Sequence, residues 1–90
     1  MDATRFEARL RAEGYPEIRT NELPPARHNA EHSHDFDVLA LVLEGDITLT
    51  VEGSSHTYRA GDEFSMKAGC KHIEDAGSQG VKYLVGRRPG

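Results

Sequence analysis

Two histidines, His32 and His34, stand one residue apart at the entrance to an apolar run, Val38 to Leu43. On a β-strand, residues i and i+2 point to the same face, so the pair forms a bidentate clamp for a divalent metal. A third histidine, His72, lies in a second stretch of turn followed by strand. Together they read as the metal-binding end of a small β-barrel.

The rest of the chain must position these side chains. Residues 3–13 read as a short helix, with Asp2 or Thr4 as N-cap, Gly14 as C-cap, and Ala3, Phe6 and Leu10 at helical spacing to pack on a sheet. Pro16 prevents continuation, and Glu17–Leu23 reads as a first strand. If His32 and His34 face inward on a regular strand, Phe36, Val38, Ala40 and Val42 follow them inside. The other face then carries Leu39, Leu41 and Leu43, an apolar stripe that something must cover. The favoured cover is a second subunit helped by the helix, so a homodimer is expected.

Glu44-Gly45-Asp46 reads as a turn, and Ile47–Glu52 alternates cleanly. Gly53-Ser54 reads as a hairpin turn before a return strand over 55–59. Short strands follow at 63–66, 72–76 and 81–85, with 77–80 as a loop and 87–90 as a frayed tail. Seven or eight short strands at this spacing imply an all-β domain of jelly-roll or small-barrel type. The expected division is a helical segment over 1–16, a barrel over 17–86 and the tail.

Composition narrows the function. Ninety residues with 37% hydrophobic and 29% charged side chains describe one ordinary globular domain. A net charge of −4 argues against nucleic acid as a partner. The longest apolar run is too short to span a membrane, and the N-terminal residues lack the apolar core of a signal peptide. Cys70 is the only cysteine, which fits a reducing, cytoplasmic setting. No phosphate-cradling glycine loop or hydrolase triad is legible.

At the level of motifs the chain resembles the cupins. His32-Ser33-His34-Asp35-Phe36-Asp37-Val38, with Gly45 beyond, resembles the first cupin motif: His-x-His, three or four residues, Glu, six residues, Gly. The stretch Gly61 to His72, with Gly69 inside it, resembles the second: Gly, five residues, Pro-x-Gly, two residues, His, three residues, Asn. The resemblance implies a cupin jelly-roll β-barrel with His32, His34 and His72 as metal ligands. Three positions depart from the pattern: Val38 at the glutamate, Lys67 at the proline and Ala76 at the asparagine. The first matters most, because in the family that glutamate usually completes a site of three histidines and one carboxylate.

Three neutral imidazoles suit iron, manganese, nickel or zinc and leave coordination positions open. Such a site admits Lewis-acid chemistry, a metal-bound hydroxide or O2 activation, and affinity should fall below roughly pH 6 to 6.5 as the ligands protonate. Without the carboxylate it is one charge more positive, which favours a small anionic or enolisable ligand. Glu74, two residues from His72 and on its face, is the one candidate to replace the missing carboxylate. Asp35 and Asp37 fall on the opposite face, His28 reads as a rim residue, His56 as solvent-facing and Cys70 as a half-buried loop residue. Two functions follow: a metalloenzyme of dioxygenase-like or isomerase-like type, or a non-catalytic small-molecule-binding or sensor module.

Overall fold

The computed structural model describes residues 2–90. A single helix, α1 (Ala3–Ala12), precedes six strands: β1 (Glu17–Leu23), β2 (His28–His32), β3 (Phe36–Val51), β4 (Ser54–Arg59), β5 (Glu63–Met66) and β6 (His72–Pro89). All pairings are antiparallel, in the order β1-β6-β3-β4, with β2 also on β6 and β5 also on β3. This is an all-β jelly-roll barrel with a short N-terminal helix.

Two long strands replace four shorter expected ones. The expected turn at Glu44-Gly45-Asp46 is a bulge inside β3, marked by register shifts between Val42 and Glu44 and between Gly45 and Ile47. Gly45 has φ +73°, and a Cβ there would stand 2.0 Å from the Gly80 carbonyl oxygen, so the two strands close at the bend only over glycine. The bulge also switches parity. Val38, Ala40 and Val42 before it and Ile47 and Leu49 after it all face one core, with Phe64, Ala76, Val81, Tyr83 and Val85. The stretch 77–80, expected as a loop, is likewise absorbed into β6, opposite the bend. The expected tail is also strand: Arg87, Arg88 and Pro89 pair with Val38, Asp37 and Phe36.

The leucine stripe is covered within the chain. Leu39 and Leu41 pack with Phe6, Leu10, Tyr15 and Leu84 in a second cluster, with Leu43 partly buried beside it. Phe6 and Leu10 are fully buried, while Ala3 is exposed and takes no part. The Asp2 side chain accepts from the Arg5 amide at 2.9 Å and caps α1, and Gly14 ends it with φ +82°. Gly86 admits the helix, since a Cβ there would stand 2.8 Å from Leu10 and 3.0 Å from Tyr15. At roughly 1.5–3 kcal/mol for each large apolar side chain buried, this contact is a main support of so small a fold. The stripe therefore gives no reason to expect a second subunit. No helix among the described residues is long and apolar enough to cross a membrane.

Candidate metal centre

His32 closes β2 and stands directly across from His72, the first residue of β6. His34 follows in the link between β2 and β3, so the pair does not lie on one regular strand as expected. The three rings nevertheless converge, with centroids 4.4, 4.9 and 5.4 Å apart. One ligand atom from each histidine lies within 4.8 Å of the others. The link is fixed by the loop before β6: the Gly69 amide donates to the His34 carbonyl at 2.7 Å, and the Ala68 amide to the Asp37 carboxylate at 2.9 Å. The two motif stretches are thereby tied together, and the Ala68 hydrogen bond holds the Asp37 carboxyl below the usual carboxylate range, helped by Lys67 and Arg88.

The hydrogen bonds select the tautomers. His32 Nδ1 lies 2.8 Å from the Ala30 carbonyl oxygen and His72 Nδ1 lies 3.0 Å from that of Cys70. A carbonyl only accepts, so each Nδ1 carries a proton, and in the neutral ring each Nε2 presents a lone pair. His72 is 1% exposed, and its Nε2 has no hydrogen-bond partner. Glu74 Oε2 stands 3.3 Å from that atom and 3.9 Å from His32 Nε2. Two lone pairs facing a carboxylate oxygen repel it unless a proton or a metal cation lies among them. Ligands bound to one ion at about 2.0–2.2 Å stand roughly 3–3.5 Å apart, which matches the closer of these separations. Asn29 Nδ2 donates to Glu74 Oε1 at 2.9 Å and turns the other oxygen toward the histidines. Burial pushes the His34 pKa down, His32 and His72 push it further, and Glu74 opposes them, so His34 favours the neutral form a metal requires.

The donor set thus fits a divalent cation. The structure brings His32, His34 and His72 together and adds Glu74 at the position across from Asn29. Val38, where the family pattern has its carboxylate, is a core residue 7% exposed. His28 pairs with Asp75 at 2.6 Å on the exposed rim, His56 is exposed, and Cys70 is half-buried. Asp37 holds the loop instead of joining the cluster.

Beside the histidines lies a cavity of about 30 Å³, lined by Asn21, His34, Phe36, Phe64, Glu74, Tyr83 and Arg87 among others. Burial pushes the Tyr83 phenol up, against a smaller opposing effect of Asn21, so it stays a neutral O–H. Arg87 was missed by the sequence reading, which ended the last strand at Val85. The signal was present: extending the inward alternation Val81, Tyr83, Val85 by one step reaches it.

A small antiparallel barrel with histidines converging at one end is the architecture of a metal-site jelly roll. The cupin domain family matches residues 20–85, and the chain belongs to that family. Among solved structures, a protein of unknown function from Rhizobium leguminosarum bv. viciae 3841 superposes with a TM-score of 0.76 at 19% identity, over 81% of this chain and 69% of that one. A cupin protein from Bacteroides fragilis gives 0.68 at 22% identity, over 81% and 64%. The oxalate decarboxylase of Bacillus subtilis, described with Mn(II) centres, gives 0.68 at 23% identity over 81% of this chain but only 21% of its own. These likenesses establish the fold. No curated protein matches the chain.

Proposed function

We propose that the chain is a metal-dependent cupin in which His32, His34 and His72, with Glu74 beside them, hold a divalent transition metal (iron, manganese, nickel or zinc) and leave positions open to a small anionic or enolisable molecule. The observation that carries this reading is the buried, unpartnered Nε2 of His72, 3.3 Å from Glu74 Oε2. The Mn(II) centres of the oxalate decarboxylase relative support the choice of ion class. When bound, the ion supplies Lewis acidity, polarising an oxygen or sulfur donor of the ligand. The chain's own residues do the rest. Ala30 and Cys70 carbonyls orient two imidazoles, Asn29 orients Glu74, and Val38, Phe64 and Val85 wall the chamber with apolar surface.

The site is assembled from one chain, so the reading requires no second copy. A non-catalytic binding or sensor module is the second reading, favoured by the cavity: about 30 Å³ admits a water or a ligand's head group, not a whole substrate. The test is metal analysis of purified protein alongside His32→Ala and His72→Ala, followed by oxygen-uptake and enolisation assays on the loaded form. Stoichiometric metal that the substitutions remove supports the site, and turnover decides for the enzyme. Traces of metal indifferent to the substitutions overturn it.

A further inference from the structure

The chamber contains a cation with nothing to hold. Arg87 continues the inward-facing series of β6 beyond Tyr83 and Val85, and its direct cross-strand partner on β3 is Val38. Its Nε is buried and has no hydrogen-bond partner. Among the described residues it forms no ion pair, whereas the next residue, Arg88, lies 3.6 Å from Asp37 and donates to the Glu13 carbonyl at 2.9 Å. The Arg87 guanidinium instead sits 4.8 Å from the centre of the Phe36 ring, which also stacks on His34 at 4.7 Å. A buried guanidinium Nε–H left without an acceptor is costly, and the pairing that best offsets it is a carboxylate.

The placement is specific. The family's carboxylate position is Val38, and Arg87 is the residue opposite it. The protein's own carboxylate, Glu74, stands at the histidines instead. Charge is thus separated across the chamber, with the free cation where the anionic side chain is missing.

We propose that Arg87 anchors the carboxylate of a small organic acid, which takes up the space beside Val38 left by the missing glutamate and presents its adjoining atoms to the histidine cluster. Glu74 repels a second carboxylate, so monocarboxylates are preferred over dicarboxylates that would place a charge at each end. Tyr83 supplies a neutral O–H to the same chamber. Phe36 and Arg87 line both this cavity and an outer cleft of about 370 Å³, bordered also by Glu17, Asp35 and Arg88. The cleft therefore gives a small acid its way in to Arg87.

The proposal rests on the metal reading for the ligand's second contact but not for its first, which allows the two to fail separately. The probe is acetate, with acetamide as the uncharged control. In 15N-labelled, metal-free protein, acetate should shift the Arg87 Nε–H signal and acetamide should not. An unmoved signal overturns the proposal, and this arm needs no variant. In zinc-loaded protein, calorimetry should show acetate binding weakened roughly tenfold or more in Arg87→Gln, the loss of a charge-assisted hydrogen bond. Arg87→Lys should fall between, and zinc stoichiometry should be equal in all three. Equal acetate affinity in Arg87→Gln and the parent overturns the anchor. Failure of zinc to bind at all sinks the metal reading alone, and the Nε–H shift then decides for Arg87.

Discussion

The two faces of β3 are built to different standards. On the outer face, Leu39 and Leu41 meet Phe6, Leu10 and Leu84, and the charged rim is paired: Arg9 reaches Glu13 and Glu63 at 2.8 Å each. On the inner face the apolar wall is interrupted by polar groups, and both side-chain atoms identified as buried without a partner, His72 Nε2 and Arg87 Nε, lie there. A fold near the lower limit of size has little stability in reserve for unpaired buried groups. They occur together, on one face and around one chamber, as the proposed ligand site requires. The outer face is closed by the helix and contributes stability.

That contrast can be broken by substitution. The largest expected effect is on the outer face: Phe6→Ala should cost about 3–5 kcal/mol in urea unfolding while metal bound per folded chain stays the same. A proportionate loss of metal affinity would show that the two faces are not separable. Gly45→Ala follows, because its Cβ would stand 2.0 Å from the Gly80 carbonyl at φ +73°; it should lower stability by more than about 1 kcal/mol and disturb both faces, since both hang on that bend. On the inner face the sign of the trade reverses. Glu74→Gln should leave the unfolding midpoint of metal-free protein nearly unchanged and weaken metal binding roughly 10–100-fold, read by competition with a chelator.

The smallest effect expected is a pH dependence. Folding lowers the His34 pKa, so the unfolded chain binds more protons than the folded one in this region. Stability of the metal-free protein should therefore fall as pH drops through about 6.5, the unperturbed imidazole value, and His34→Gln should flatten that fall. At lower pH the depressed Asp37 carboxyl acts in the same direction: its contribution is present above the normal aspartate pKa and lost as pH falls through the depressed value. Urea midpoints across pH would check both, and an unchanged slope in His34→Gln would contradict the first.

Much of this was legible from residue types. Alternation placed Phe36, Val38, Ala40 and Val42 on one face and the leucines on the other, and motif spacing brought His32, His34 and His72 to one locus. Parity alone singled out Glu74. Glycine was the source of the errors. Gly45 and the run from Gly77 to Gly80 read as turns, because local sequence does not distinguish a glycine that reverses the chain from one that admits a bulge. The distinction depends on how closely the Gly80 carbonyl approaches Gly45, a contact made 35 residues along the chain. Ending the last strand early hid Arg87. The leucine stripe was read correctly as needing cover, but choosing between a partner and the chain's own helix depends on tertiary packing that periodicity does not encode.

In the proposed site, the inner face holds one metal ion through His32, His34 and His72. This is tested most directly by the metal-to-protein ratio, measured by elemental mass spectrometry after metal loading and exhaustive dialysis, in the parent chain, His34→Ala and His72→Ala, with folding verified by circular dichroism. About one ion per parent chain is expected, and near none in either folded variant. A low ratio that is the same in all three proteins would contradict it.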